Sequence, residues 1–577
     1  MDDLEPDLQP ETVAPVGAET PVADDAHAGR RMAMGGVIIS FFLFLGKIAG
    51  YARSMLISGY FGSDIRTDAF YKVYNVLIYG TYTNLEKIIR PAYLPQFVRD
   101  NKEQGEPKAW ELTSLIGNLE LLFLLALTVV LEVFAPQLIR LLWPTTAADP
   151  VGFPVGVLML RVMAPTVIFL SLSLMPELTL HAYKRFSLPA FAEFTLRVGA
   201  AAGIVLGVYW LWDPQGQNGI LAAALGAIIG GCLRFFVMLP GLWTKLKHVR
   251  PLFNPMRDAS ARTVFRLMPP LLVGMGAAYL RNVADTIYAD RLGPGMYTYL
   301  TFARTMGDSA LQILPLAISF VVYPFLSEWA ARGEKDKLAE ALVGMTRVMA
   351  FIFVPISVGM MFLARPIITI VYEHGAMTSA DAARSALALF CYAPGLLFFA
   401  LETSIMKWFF ALQDTKTPNY WGAAMAGLNI IIGYIGVMWL WPAGHIGATG
   451  ALACVALALT LSKTTKVIIL LGLLRKRIGR IDRRAALAFA AKLALAAGLM
   501  GIVIYFIGIG LAPALSNWQP PFAANKLRML ALAAAVGCGG GGVFLVTAAM
   551  LKIEELTMVV GYLREKIGKK LRKAKAE

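Results

Sequence analysis

Apolar runs of about 20 residues or more recur from end to end of the chain and are separated by short polar connections. A run of about 20 residues crosses the hydrocarbon core of a bilayer as an α-helix, which satisfies its own backbone hydrogen bonds. The pattern therefore predicts an all-α polytopic membrane protein with 14 transmembrane helices. The predicted spans lie near residues 33–58, 67–98, 112–142, 153–182, 188–212, 218–243, 263–290, 297–328, 340–371, 382–411, 419–440, 446–473, 484–511 and 526–551.

The second span carries a polar stripe along one helix face. Asp68 and Glu86 are about five full turns apart, and Lys72 and Arg90 lie close to the same line. An ionisable group at the bilayer centre costs about 2.5–3.5 kcal/mol, so we predict that this face lines water or a polar ligand. The first span adds two cations, Lys47 and Arg53.

Charge along the connections predicts the orientation. The second, fourth, sixth, eighth and twelfth connections are rich in Lys and Arg, whereas the odd-numbered ones are nearly free of them. By the positive-inside rule the basic connections are cytoplasmic, and we expect both termini on that side. The first 29 residues contain eight acids and no Lys or Arg, which predicts a disordered tail and not a signal peptide.

Composition agrees with a membrane protein, since only 16% of the 577 residues are charged and the mean hydropathy is +0.61. The net charge of +15 fits basic loops that face anionic lipid, so we expect no nucleic-acid partner. The four cysteines and five histidines show no metal-ligand spacing, and we expect no cofactor.

Two short segments recur at one offset. Residues 93–97 resemble 322–326, and residues 181–189 resemble 410–418, each 229 positions further on. Six spans separate the copies, which predicts two six-helix lobes related by a parallel repeat, with the substrate between them. The predicted parts are an acidic tail (1–32), the N-lobe (33–243), a basic linker (244–262), the C-lobe (263–473), two extra helices (474–551) and a basic amphipathic tail (552–577).

The seventh and eighth spans bring charge into the second half. Arg304 and Asp308 have the spacing of an i,i+4 pair, and Arg281 with Asp285 is open to interpretation as a structural ion pair. Ionisable groups near span ends fit interfacial positions instead, namely Arg90, Glu177, His181 and Glu193.

These residues predict a transporter whose cavity is lined by cations and a few acids. The cations are Lys47, Arg53, Lys72, Arg281 and Arg304. A cationic cavity of low dielectric favours an anionic ligand, and phosphate suits Arg and Lys donors. The sequence has no nucleotide-binding loop and no catalytic constellation, so we predict a non-enzyme driven by an ion gradient, the membrane potential or the substrate gradient.

Several motifs, in order over about residues 35–475, resemble those of the MurJ/MviN family of lipid II flippases. They are residues 46–53 (GKIAGYAR), Phe61-Gly62 with 67–70 (TDAF), Glu86 with Leu94-Pro95, 285–287 (DTI), 292–295 (LGPG), 324–327 (PFLS), 374–378 (HGAMT), 413–418 (QDTKTP) and Asn429.

The resemblance implies a member of the multidrug/oligosaccharidyl-lipid/polysaccharide exporter superfamily. Such a protein would move undecaprenyl-diphosphate-linked disaccharide-pentapeptide from the inner to the outer leaflet of the bacterial cytoplasmic membrane by alternating access. The extra helix pair would hold the lipid tail. We expect a monomer that contacts membrane lipids and its lipid substrate. The expected substrate-binding residues are Lys47, Arg53, Asp68, Lys72, Glu86, Arg90, Arg281 and Arg304.

The resemblance further implies a monovalent cation site at Asp285 and Asn429, with coupling to Na⁺, H⁺ or the membrane potential. The chain departs from the family pattern at Lys47, which stands for an arginine, and at Thr81-Tyr82, which replace an arginine pair. The arginine at position 304 is displaced by one, and Arg90 is the candidate to compensate for Thr81.

These departures leave three alternatives open. The first is a flippase for another polyprenyl-diphosphate-linked glycan. The second is a multidrug or cation antiporter, for which an acid-dominated cavity would be expected. The third is a non-transporting scaffold of a cell-wall complex, which has no need of a line of intramembrane charge.

If the polar stripe lines a transport cavity, Arg53→Ala and Glu86→Ala will each abolish function, because each removes a charge that the cavity needs. Complementation of a depleted strain measures this effect, and the amount of variant in the membrane fraction is the control. Full complementation by both variants would refute the cavity hypothesis.

Overall fold

In the computed structural model, every regular element among the described residues is helical, as the apolar pattern predicts. The structure describes residues 23–211, 213, 216, 218–255, 258–311, 314–479, 482–516 and 522–557. Most of the predicted tails, 1–22 and 558–577, therefore lie outside the described residues. The first helix begins at Ala23, inside the segment predicted to be disordered.

The first half of the chain forms a lobe of helices up to residue 248. Its α-helices are α1 (Ala23–Phe61), α2 (Ile65–Lys72), α3 (Tyr79–Glu103), α4 (Glu106–Val133), α5 (Ala135–Leu142), α6 (Pro144–Ala148), α7 (Gly152–Leu172), α8 (Leu174–Ala182), α9 (Ser187–Leu206) and α10 (Leu221–Met238). A π-helical segment, Val73–Ile78, joins α2 to α3, another, Gly207–Leu211, extends α9, and a 3₁₀ helix, Leu239–His248, follows α10.

The second half repeats this plan and adds two helices. Its α-helices are α11 (Ala259–Leu292), α12 (Met296–Leu311), α13 (Leu314–Ala331), α14 (Lys335–Phe362), α15 (Ala364–Tyr372), α16 (Ser379–Tyr392), α17 (Leu396–Ala411), α18 (Lys416–Tyr434), α19 (Ala448–Arg477), α20 (Arg483–Ser516) and α21 (Phe522–Met550). The added pair, α20 and α21, packs against α14 through Phe351, Leu493 and Phe544.

Eleven helices of the described part are long and apolar enough to cross a membrane, and the bent α11 raises that number to 12. The two predicted spans outside this set are α2–α3, which carries the polar stripe, and α12–α13, in which residues 312 and 313 are not described. The all-helical polytopic fold is therefore confirmed, whereas 14 spans remains a prediction.

The parallel repeat is visible in the backbone. Lys184 and Gln413, 229 positions apart, both have a φ of 58°. Each turn is closed by two backbone hydrogen bonds in the same arrangement, at 2.8 and 2.9 Å in the first and 2.8 and 3.0 Å in the second. The first residues of α4 and α14 are also 229 positions apart, as are those of α5 and α15. The two lobes therefore share one fold in one orientation.

The lobes meet at the end of the bundle that carries the odd-numbered connections, which we call the closed end. The amide of Ala376 donates to the carbonyl of Gly59 at 2.8 Å. Gly375 has a φ of 58°, and a Cβ there would lie 2.0 Å from the Gly59 oxygen. Only glycine fits this position, so the two backbones can touch directly.

The basic end is bridged differently, by the start of α11. Lys108 of α4 donates to Asp258 at 2.6 Å, and Gln96 of α3 donates to Ser260 at 2.9 Å. Burial alone would raise the pKa of Asp258, but the hydrogen bonds from Lys108 and from two backbone amides outweigh it and lower that pKa. A helix of the second half is thus anchored to the first lobe by a carboxylate that stays ionised.

Helices α9 and α10 approach each other through glycines. Gly199 and Gly203 of α9 face Gly226 and Gly230 of α10, which is a small-xxx-small pattern on both helices. A Cβ on Gly226 would lie 2.3 Å from the carbonyl oxygen of Ala200. This close approach brings the polar residues of the two helices within hydrogen-bonding distance.

Gly226→Val will force α9 and α10 apart and destabilise the protein by about 2 kcal/mol, as overpacking of a tight contact does. Thermal unfolding in detergent measures this. The control is Gly472→Val, because a Cβ at Gly472 meets no atom within 4 Å. Equal unfolding temperatures for the two variants would contradict the close contact.

Candidate functional site

Two cavities adjoin inside the bundle and share Asp308. The first, of about 220 Å³, lies between the lobes against α1 and α9, and we call it the N-cavity. The second, of about 400 Å³, lies within the second lobe, and we call it the C-cavity. The charged residues of the N-cavity are Lys47, Arg53, Glu193, Arg197 and Asp308, and those of the C-cavity are Arg281, Arg304, Asp308, Glu402 and Lys463.

The first helix supplies two cations to the N-cavity, as predicted. Lys47 Nζ and Arg53 Nε are buried, and neither atom has a hydrogen-bond partner among the described residues. The Arg53 guanidinium lies 5.2 Å from the ring centre of Tyr74, which comes from the π-helical segment. Buried cationic groups without an acidic partner are costly, so this arrangement favours an anionic ligand.

Arg304, which lines the C-cavity, forms an ion pair with the buried Asp285. Arg304 Nη2 donates to Asp285 Oδ2 at 2.6 Å, and its Nε donates to Tyr392 Oη at 2.9 Å. The predicted i,i+4 pairing of Arg304 with Asp308 is therefore replaced by a pair between α12 and α11. The interpretation left open for Arg281 and Asp285, a structural ion pair, is not the pairing that forms, because the Asp285 carboxylate binds Arg304. The exposed Asp308 borders both cavities, and Arg281 donates to Asn282 Oδ1 at 2.7 Å.

A second ion cluster joins α17 to α19 at the C-cavity. Lys463 and Lys466 both donate to Glu402, at 2.5 and 2.6 Å. Lys463 lines the cavity, whereas Lys466 is buried behind it. Glu402 therefore neutralises a cation at the cavity wall.

Asp68 and Lys72 lie outside both cavities, in the interface at the closed end. Asp68 Oδ1 accepts from the amide and the hydroxyl of Thr298, at 2.8 and 2.6 Å. Lys72 donates to Asp290 at 2.7 Å and to Thr146 at 3.0 Å. Both residues are buried, so in this conformation they join the lobes and do not face the space that a substrate would enter.

Glu86 and Arg90 also lie outside both cavities. Arg90 pairs with Glu86 at 2.8 Å and with Glu177 of α8 at 2.5 Å. The prediction of a polar stripe assumes a regular α-helical period of about 3.6 residues per turn through the whole span. The π-helical segment 73–78 interrupts that period. Residues before and after the segment therefore no longer share a face, and the stripe divides into an interface part and an ion network.

A family model described as "Lipid II flippase MurJ" matches residues 57–518, which is most of the chain.

The chain belongs to the lipid II flippase MurJ family.

Relatives in the family have low sequence identity to this chain but match it over most of its length. The lipid II flippase MurJ of Burkholderia cenocepacia is 28% identical over 421 residues, covering 72% of this chain and 80% of the relative. The probable lipid II flippase MurJ of Buchnera aphidicola is 25% identical over 503 residues, covering 86% and 93%.

Solved structures agree on the fold. A lipid II flippase MurJ in an inward closed conformation matches with a TM-score of 0.68 at 22% identity, covering 88% of this chain and 98% of that chain. An inward-facing multidrug resistance MATE transporter matches with a TM-score of 0.61 at 12% identity, covering 76% and 97%. The predicted fold class of the MurJ family is thereby confirmed.

Sequence reasoning left out three cations: Arg197 and Lys463, which line the cavities, and Arg234, which lines neither cavity and pairs with Glu177 and Glu193. They lie outside the family motifs that were matched. Arg234 stands within the apolar run 221–238, so a list of every charge inside a span would have found it. The residues Glu177 and Glu193, predicted to be interfacial, instead bind Arg234, whose guanidinium takes the place of water.

The cation site implied by the family at Asp285 and Asn429 has an incomplete ligand set in this conformation. Asn429 is buried, and neither of its amide atoms has a partner among the described residues. The Asp285 carboxylate, however, is held by Arg304. The described part of the chain contains no group of three or more His, Cys, Asp or Glu side chains that could hold a metal ion. A bound cation does not fit these residues while Arg304 neutralises Asp285.

The ion pair between Lys72 and Asp290 predicts a measurable coupling across the closed end. Their side chains are 2% and 1% exposed, so Lys72→Met leaves a buried carboxylate without its cation and will cost about 3–5 kcal/mol. Lys72 Nζ also lies 4.0 Å from Oδ2 of the buried Asp68. Combining Lys72→Met with Asp290→Asn removes the nearer of the two uncompensated carboxylates and keeps an acceptor for Thr146, so part of that stability returns. Denaturant unfolding of the purified single and double variants measures this, and a double variant as unstable as Lys72→Met would contradict the pairing.

Proposed function

We propose that the chain is a flippase for lipid II, the lipid-linked peptidoglycan precursor. It would move the undecaprenyl-diphosphate-linked head group from the inner to the outer leaflet of the bacterial cytoplasmic membrane. The observation that carries the proposal is the pair of adjoining cavities, lined by Lys47, Arg53, Arg281 and Arg304, in a chain of the MurJ family.

The N-cavity is the proposed site of the diphosphate. Lys47 Nζ and Arg53 Nε point into buried space without a hydrogen-bond partner among the described residues. A diphosphate supplies several acceptor oxygens and negative charge in one compact group, which satisfies both cations at once. The larger C-cavity, with Arg281 and Lys463 at its wall, then accommodates the sugar and peptide part of the head group.

The closed end is the proposed outer gate. If the basic connections are cytoplasmic, as the positive-inside rule predicts, the contacts at Gly59, Asp68 and Lys72 face the outer side. They must separate before the head group can leave, and the cavities load from the inner leaflet. Asp68 and Lys72 therefore act in gating in this scheme, and Lys47 and Arg53 in binding.

We propose that an ion gradient of Na⁺ or H⁺, or the membrane potential, supplies the energy. The potential alone contributes about 2.3 kcal/mol per elementary charge at 100 mV, and the head group carries several negative charges. We expect a monomer with both termini in the cytoplasm, surrounded by membrane lipids, whose added pair α20–α21 offers a path for the lipid tail.

The antiporter alternative draws on the likeness to the MATE transporter, which concerns the fold alone. A cavity for organic cations would need excess negative charge. Here the two cavities contain six Lys and Arg side chains, against Glu193, Asp308 and Glu402. This excess of positive charge favours an anionic lipid substrate.

Depletion of the protein in its host, followed by measurement of labelled lipid II in each leaflet, tests the function. We expect lipid II to accumulate in the inner leaflet and to be relieved by the wild-type gene, but not by Arg53→Ala. An unchanged lipid II distribution with loss of another surface glycan would transfer the proposal to that glycan. An unchanged distribution of all lipid-linked glycans would favour a scaffold.

A further inference from the structure

Six charged side chains of alternating sign form a continuous chain through the first lobe. It links α3, α8, α10 and α9, and its contacts are between 2.5 and 2.9 Å. In order, its members are Glu86, Arg90, Glu177, Arg234, Glu193 and Arg197. Three cations balance three anions, so this row of six side chains has no net charge and can lie in a low-dielectric interior.

Arg234 is the centre of this chain. Its guanidinium donates to Ser173, Tyr82, Glu177 and Glu193, at 3.0, 2.5, 2.7 and 2.5 Å. The residue is only 4% exposed. A planar guanidinium with five donors can hold these partners in one fixed arrangement, which a lysine ammonium cannot reproduce.

The end of this row of ion pairs that reaches the N-cavity, formed by Glu193 and Arg197, is the part that bears on function. Glu193 uses Oε2 to bind Arg234 and Oε1 to accept from Nε and Nη2 of Arg197. Arg197 lines the N-cavity together with Lys47 and Arg53. Glu193 therefore fixes the orientation of a guanidinium whose Nη1 is not used in that contact.

Gly50 of α1 makes room for this guanidinium. A Cβ built on Gly50 would lie 3.1 Å from Arg197 Nη1 and 3.6 Å from its Cδ. The arginine therefore passes close over the backbone of the helix that carries Lys47 and Arg53. Three cations from α1 and α9 converge on one cavity, and their mutual repulsion is relieved when an anion enters.

We propose that Arg197 is a third binding residue for the diphosphate of the substrate, and that Arg234 is a positioning residue that acts on it through Glu193. This inference rests on the proposed function and deepens it. A purely structural ion network would stabilise the lobe without affecting the choice between a charged and a neutral lipid. A binding role makes that choice depend on Arg197.

The test compares two lipid probes on the purified protein in detergent, undecaprenyl diphosphate and the uncharged undecaprenol. Loss of one charge-assisted hydrogen bond corresponds to about a tenfold change in affinity. We expect Arg197→Gln to weaken binding of undecaprenyl diphosphate by about that factor and to leave undecaprenol unchanged. The matched control is Arg161→Gln, which removes the same charge from an exposed position of the same lobe.

Two further variants separate positioning from stability. Arg234→Lys keeps the charge but loses the planar guanidinium that holds Glu193 in place. We therefore expect it to weaken binding of the diphosphate lipid by the folded fraction of the protein. Gly50→Ala crowds Arg197 without removing any charge and should act in the same direction, even if Arg234→Lys fails to fold. Diphosphate binding equal to wild type in Arg197→Gln would overturn the proposal.

The outcomes also distinguish this inference from the proposed function. If wild-type protein binds undecaprenyl diphosphate and relieves lipid II accumulation, but Arg197→Gln does both equally well, only the role of Arg197 fails. If wild-type protein prefers neither probe and depletion leaves lipid II unchanged, the proposed function fails.

Discussion

A charge inside a membrane bundle must be paired, hydrated or reserved for a ligand, because low-dielectric surroundings penalise it in any other state. This constraint divides the ionisable groups of the chain by location. Lys72 and Asp290 are paired across the lobes, and Arg234 is paired within one lobe. Lys47 and Arg53 carry buried donors that have no partner among the described residues, and they border a cavity. Paired groups thus hold the helices together, and the unpaired donors mark where a ligand enters.

The fold was largely predictable because hydrophobic length and internal repetition are local properties of a sequence. Two short matches 229 positions apart were enough to predict the repeat, and the same offset relates the positive φ angles of Lys184 and Gln413. Ion pairing was not predictable in this way. Spacing within one helix tells which residues share a face, but not which neighbouring helix that face meets. Asp308 lies one turn beyond Arg304 on α12, so spacing alone predicts that these two residues pair. In the structure Arg304 pairs with Asp285 of α11 instead.

The candidate site was predictable only in part, for a related reason. Lys47 and Arg53 follow from charge deep inside a span, and both line the N-cavity. Asp68 and Glu86 were predicted to share one face, but a π-helical segment between them breaks the period on which that prediction depends. The role of Arg234 depends on two residues of other helices, Glu177 on α8 and Glu193 on α9, to which it donates hydrogen bonds. No spacing rule within a single helix could assemble that cluster.

The offset of 229 positions has a consequence for charge as well as for backbone. It relates Arg234 to Lys463 and Ser173 to Glu402, and each lobe contains the corresponding contact, at 3.0 Å in the first and 2.5 Å in the second. In the first lobe the partner is a hydroxyl, so the guanidinium of Arg234 is free to cross-link the carboxylates of Glu177 and Glu193. In the second a carboxylate neutralises the cation at a cavity wall. An incoming anion can compete for Lys463, whereas it could reach Arg234 only by dismantling a lobe. Equivalent positions of the two lobes are therefore alike in backbone and unlike in electrostatics: position 234 belongs to a fixed ion cluster, and position 463 is a cavity cation with an exchangeable counter-ion.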